Sequence, residues 1–298
     1  MIEYDKRVWT SHLFDIEGSM VREILGRVSL CVIWTALVVA THHLTPFQLN
    51  MKSTIHTLVG VALGLLLVFR TNASYDRYWE GRKMWGSIIN ESRNLARGAR
   101  GYVAHGAPDL VEPILSWTAL FSYATLATLR RLAALPEGAP LDHLPRGEVE
   151  AALRAPSIPL AVAGRITGLL AEARARGAIS DIVMGMLDAN VQQLVDYLGS
   201  CERIKNTPLP FVYVVHLRRA LIVYCFTLPF VLVDDYGWWT ILVALLASYM
   251  FFGIDEIGVE IENPFGGDLN DLPLEQFCAT IARDVLTPTT ESAAGMTP

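Results

Sequence analysis

Four apolar windows, two near each end of the chain, constrain this sequence more than any other feature. Crossing the hydrocarbon of a bilayer takes about 20 largely apolar helical residues, with a lower limit near 17. The first window runs from Ile24 to Leu44 and contains VSLCVIWTALVVA, with Arg22 and Arg27 at its start. Its lead is too long and too charged for a signal peptide, and no A-x-A cleavage site follows it. The second, Thr54 to Phe69, has 16 residues and would span roughly 24 Å at 1.5 Å per residue. The third, Phe211 to Val233, is cleanly apolar only from Ala220, because His216, Arg218 and Arg219 lie in its first turns. The fourth, Trp238 to Ile254, begins with a Trp pair suited to a membrane interface. Composition agrees: 18% of the 298 residues are charged, against about a quarter in soluble proteins.

Basic residues set the expected orientation, since short cytoplasmic loops carry the Lys/Arg excess. The loop between the first two windows has only Lys52, and DDYG between the last two has none, so both read as outside. The N-terminal segment holds Lys6, Arg7, Arg22 and Arg27, and the long middle holds Arg70, Arg77, Arg82, Lys83, Arg93, Arg97 and Arg100. Both termini and the middle therefore read as cytoplasmic. The expected division is a cytoplasmic segment 1–23, membrane helices 24–69, a cytoplasmic helical domain 70–210, membrane helices 211–254 and a cytoplasmic segment 255–298. The expected location is the cell inner (plasma) membrane, as a multi-pass protein.

Within the middle, Tyr78, Trp85, Ile88, Ile89 and Leu95 recur at helical spacing, predicting a helix over 74–97 that continues the second window. Further helices are expected over 115–134, 159–175 and 179–198, with the Pro- and Gly-containing LPEGAPLDHLPRGE as a separator. No segment alternates polar and apolar residues long enough to require a strand, so the fold class is all-α.

Several chemistries are disfavoured by residue content. A net charge of −6 supplies no basic face for nucleic acid. The four cysteines, Cys31, Cys201, Cys225 and Cys278, show no metal or redox spacing and read as buried thiols. No G-x-S-x-G, H-E-x-x-H or P-loop pattern occurs, so no catalytic residue is assigned and an enzyme is not expected. His42 and His43 point about 100° apart on a helix and read as an interfacial polar pair. Asp234-Asp235 and DEIGVEIE read as solvated helix ends.

The second window has distinct faces. Ser53, Thr57, Val61, Leu65 and Phe69, four apart, grade from hydroxyls to an apolar set, and Gly60 and Gly64 form a G-x-x-x-G beside them. Small residues permit close helix approach, and a symmetric ring of such helices would turn Val61, Leu65 and Phe69 toward an axis as a dewetting constriction. The same pattern fits a lipid-facing helix.

At FRTNASYDRYWEGRKMWG (69–86), PLPFVY (208–213) and ENPFGGDLNDLPL (262–274), the chain resembles the bestrophin channels, and most closely their bacterial members. The resemblance covers nearly the whole sequence. It implies a homopentamer around one axial pore, with four membrane helices per subunit and a helical cytoplasmic body. It places the pore neck at Val61, Leu65 and Phe69, and a cytoplasmic aperture at Ile182. Eukaryotic relatives bind calcium after the N-P-F-G motif, where Asp268 and Asp271 stand here, interrupted by Leu269 and Asn270. Two carboxylates fall short of the six to eight oxygens calcium favours, so a weak calcium site and a local capping role for Asp268 or Asn270 both stay open. No other cofactor is implied. The resemblance leaves chloride and other anions, or monovalent cations, as the permeant species. The expected partners are further copies of the chain, membrane lipids and small inorganic ions. The competing class is a membrane scaffold or lipid-modifying membrane enzyme with no pore.

Overall fold

The structure, a computed structural model, describes residues 18–46, 51–142 and 144–287. The expectations for Lys6 and Arg7, for part of the loop between the first two windows, and for the tail beyond residue 287 lie outside the described residues. Nine α-helices follow in order among those described: α1 (Val21–Leu44), α2 (Ser53–Gly98), α3 (Pro108–Arg130), α4 (Arg146–Leu153), α5 (Ile158–Ala175), α6 (Asp181–Asn206), α7 (Phe211–Tyr236), α8 (Thr240–Glu260) and α9 (Leu274–Leu286). A π-helical turn, Ala99–Val103, extends α2, and a 3-10 turn, Gly237–Trp239, links α7 to α8. No strand occurs among the described residues.

The chain forms two compact units. The first takes the described residues up to Trp79, then Pro208–Asn263 and Asp268–Asp271. Here α1 packs on α7 and α8 around Ile24, Val28, Cys31, Leu63, Leu67, Leu217, Leu221, Cys225 and Phe252. Between membrane helices apolar burial yields little, because lipid tails are as apolar as leucine, so close packing and polar ties carry the association. Trp34 Nε1 donates to Phe226 O at 2.9 Å, and the Tyr213 hydroxyl donates to Leu66 O at 2.7 Å. Pro229 inside α7 has no N–H, so a carbonyl one turn earlier loses its helical donor. Nearby, Tyr224 O accepts from His56 Nε2 and from the Thr227 hydroxyl, both at 3.2 Å. The His56 ring also stacks on Tyr224 at 4.0 Å, so this histidine both packs on α7 and bonds to its backbone. Gly237, at φ +52, makes the turn before α8, a backbone region costly to residues with a Cβ.

The second unit comprises Glu80–Thr207, Pro264–Gly267 and the described residues from Leu272. Its centre is α3, against which α5 and α9 pack, with Trp117, Leu120 and Phe121 buried. By length and composition α3 could cross a membrane, but 83% of its apolar window is buried inside the protein, so it is a core helix. The α9 stripe Leu274, Cys278, Ile281 and Val285 is buried on it. Arg165 clamps Glu148 with two hydrogen bonds of 2.8 and 2.5 Å, fixing α4 on α5. Arg82 lies over the Phe277 ring at 4.8 Å, and Phe277 contacts Trp85 at 6.0 Å.

Most expected helices appear, with shifted ends. The helix expected over 115–134 instead starts at Pro108, whose fixed φ suits the first helical turn, and stops at Arg131 in the left-handed conformation. The expected separator runs into the start of α4, which begins directly after Pro145. The Trp pair expected to open the fourth span sits in the 3-10 turn ahead of α8. All four cysteines are buried free thiols.

Candidate functional site

The apolar half of α2 is two-sided. At about 100° per residue, Leu63, Leu67, Arg70 and Ser74 fall on one side, and all four are buried. Val61, Leu65 and Phe69 fall on the opposite side and are 61%, 56% and 65% exposed. An apolar stripe that its own chain leaves bare, on the helix face turned away from the core, needs lipid, a neighbouring subunit or a pore lumen to cover it. The G-x-x-x-G pair divides its labour. A Cβ on Gly60 would fall 2.7 Å from the Tyr224 hydroxyl, so Gly60 seats α7, whereas Gly64 meets nothing within 4 Å in its own chain.

What holds α2 in this rotation is a charged cluster that residue content alone did not reveal. Arg70, directly after Phe69, is buried and ion-paired with Asp255 near the end of α8. Arg27 of α1 donates to Glu256 Oε2 at 2.5 Å and lies 4.0 Å from Asp255 Oδ2. Gly258, one turn on, leaves room for the Arg70 stem at 3.6 Å. Asp255 and Glu256 are therefore not the solvated helix end expected from DEIGVEIE: both are buried. The available signal was the coincidence of Arg27, Arg70 and Asp255-Glu256 at the ends of three apolar windows, since charges there pair to offset desolvation. At the other end of these helices His42 Nε2 lies 3.4 Å from Asp234 Oδ1, and the His43 ring stacks on Trp238. The two histidines thus take different partners, as an interfacial pair should.

Ile182 is the second residue of α6, whose first turn is capped by the Ser180 hydroxyl accepting from Val183 N at 3.3 Å. Its side chain is 76% exposed. In the segment after N-P-F-G, Asp271 is buried and its Oδ2 accepts from the Asp268 N–H at 2.8 Å, closing a turn. Asn270 Nδ2 donates to Gly18 O and to Glu260 Oε2, both at 3.1 Å. Among the described residues, no group of three or more His, Cys, Asp or Glu is placed to hold a metal ion.

Two thiols outside the apolar windows are shifted by burial: Cys201 and Cys278 are each pushed up to about 12. Neutral and buried, they are inert packing residues rather than nucleophiles.

Residues 1–287 match the family described as Bacterial/Fungal Bestrophin protein. A voltage-dependent anion channel-forming protein of Nostoc is 39% identical over 282 residues, which cover 94% of this chain and 91% of the relative. The voltage-dependent anion channel-forming protein YneE of Escherichia coli is 32% identical, with 96% of this chain and 93% of that protein covered. The crystal structure of a bacterial bestrophin homolog from Klebsiella pneumoniae, solved by Zn-SAD phasing, superposes with a TM-score of 0.81 at 31% identity, covering 88% of this chain and 97% of that one. With its helices, its apolar windows and nearly its whole length matched in this way, the chain belongs to the bestrophin family.

Proposed function

We propose that the protein is a homopentameric channel of the cell inner membrane that passes small monovalent ions through an apolar neck formed by Val61, Leu65 and Phe69. Both termini and the middle helices lie in the cytoplasm in this reading, and Ile182 rings the cytoplasmic exit. The observation that carries it is the two-sidedness of α2: a bare apolar stripe faces away from the core, and a buried ion pair one residue beyond it fixes which way it faces. A five-fold ring of such stripes encloses a lumen without any charge. An ion must shed or squeeze its hydration there, and desolvating a charge costs far more than one contact returns. The neck then limits current. An uncharged ring discriminates weakly by sign, so ion preference follows charges elsewhere in the conduit. The names of the relatives, as anion channel-forming proteins, favour anions. Calcium acts weakly if it acts, through Asp268 and Asp271, because the Asp271 carboxylate is already engaged with the Asp268 N–H.

Purified protein in planar bilayers tests this. Leu65→Ala and Phe69→Ala, and the polar Leu65→Ser, should raise conductance or open time. Unchanged currents in both alanine variants, with the pentamer intact by native mass spectrometry, would show that the stripe faces lipid or a neighbour.

A further inference from the structure

Between the start of α2 and the middle of α7 lies a cavity of about 560 Å³, within the range of small-molecule sites. Its walls are mostly apolar, from Ile55 and Val59 on α2 and Val223 and Tyr224 on α7. Set into them are Lys52, His216 and Arg219. Among the described residues no Asp or Glu lines the cavity. His216 and Arg219 are exposed, and neither they nor Lys52 has an ion pair within the described chain. Arg219 is the ninth residue of α7, about 12 Å along the helix from its first residue. A cation set against the apolar stretch that begins at Ala220 draws a counter-charge to it.

A second copy of the chain does not bring that charge. No Asp or Glu occurs within Ile24–Leu44, Thr54–Phe69, Phe211–Val233 or Trp238–Ile254, and Asp255 and Glu256, just beyond the last of these, are buried and already paired with Arg70 and Arg27 of their own chain. An anionic amphiphile supplies both halves of the match: an acid for Arg219 and His216, and a chain for the apolar walls. We propose that the α2/α7 cavity binds an anionic phospholipid of the surrounding bilayer, its phosphate on Arg219 and His216 and one acyl chain running between Ile55, Val59 and Val223. This rests on the reading of α2 and α7 as membrane helices. It places a lipid directly behind the neck stripe, on the same turns of α2 that carry Val61, so lipid composition would bear on α2 and on current.

Native mass spectrometry of the full-length protein with added phosphatidylglycerol or phosphatidylcholine tests it. Wild type should bind phosphatidylglycerol in preference to phosphatidylcholine, and Arg219→Gln should lower that preference about tenfold, the scale of one charge-assisted hydrogen bond. Arg219→Lys should keep most of it. Val223→Trp should weaken both lipids by filling the cavity. Equal binding of the two lipids to wild type overturns the proposal. So does loss of preference in Lys52→Gln but not Arg219→Gln, which would put the headgroup at the other end, or displacement of the lipid by inorganic phosphate alone, which would mark a free-anion site. Crosslinking of Val223→Cys, labelled with a photoreactive maleimide, onto a neighbouring copy would show the cavity to be a subunit interface and overturn it as well. Bound lipid is weighed whether or not the protein conducts, so an absence of pore currents would count against the channel alone.

Discussion

Removing either side of the Arg70–Asp255 pair should destabilise the protein far more than removing both. Each side chain is 1% exposed, and deleting one partner of a buried pair costs roughly 3–5 kcal/mol because the survivor stays charged and dry. The two deletions are not equivalent here. Asp255→Leu leaves Arg70 buried without its carboxylate, so the upper part of that range applies. Arg70→Leu leaves Asp255 with Arg27 at 4.0 Å. Arg27 is 40% exposed and water screens it, so the relief is partial and the cost falls toward about 3 kcal/mol. The double variant removes both charges and leaves the Arg27–Glu256 bond of 2.5 Å in place, so its cost should be within about 1 kcal/mol of wild type. At roughly 2 °C per kcal/mol for a chain of this size, the single variants should melt about 6–10 °C below wild type and the double variant within about 2 °C of it. The assay is tryptophan fluorescence against temperature on detergent-solubilised protein, read as a double-mutant cycle. Single variants that each lose under about 2 °C, or losses that simply add, would refute the claim that this pair fixes the rotation of α2.

Three further outcomes follow from other parts of the molecule. In a cysteine-free background, an impermeant maleimide applied from outside should label Pro46→Cys and Tyr236→Cys and spare Asp5→Cys and Pro145→Cys; the reverse pattern would overturn the orientation. Calorimetry should find calcium binding no tighter than micromolar, and submicromolar binding that survives Asp268→Ala with Asp271→Ala would refute a weak site in that segment. Cys201 and Cys278 titrate near 12 in the folded protein and near 8.5 when unfolded. The unfolded state therefore loses protons first, and these thiols contribute stability below about pH 8.5 that is lost as pH rises toward 12. At pH 8 only about one in ten thousand is thiolate, so thiol reagents should reach them only after unfolding. Rapid labelling of Cys201 or Cys278 in native protein would contradict this.

Helix identity was legible where one periodicity dominated a long segment. The stripe through Trp85, Ile88 and Leu95 foretold the second half of α2, and the apolar windows foretold α1, α7 and α8. Two of the boundaries that moved did so at prolines: Pro108 starts α3 and Pro145 precedes α4, both sites where a proline is permissive rather than disruptive. The α9 stripe Leu274, Cys278, Ile281 and Val285 was present in the sequence at spacings of four, three and four, but 13 residues are too few for one periodicity to stand out beside a Gly- and Asp-rich turn. That Val61, Leu65 and Phe69 share one exposed face of α2 was readable because spacing of four is local information. The Arg70–Asp255 pair was not, since its partners are 185 positions apart and charge at a window's end looks alike whether it meets water or a buried counter-ion.

The core helix α3 sets a problem for the ribosome that made it. Its apolar window is as greasy as a marginal membrane span, and it leaves the exit tunnel soon after a true one. One of its covers, α5, follows closely, but the other, α9, begins only at Leu274, near the end of translation. For most of synthesis one flank of α3 is therefore uncovered beside a membrane that would accept it. The hydroxyls of Ser116, Thr118, Ser122 and Thr125, all buried on this helix, raise the cost of its partition into lipid. A chain truncated before Leu274 keeps these hydroxyls but never gains the α9 cover.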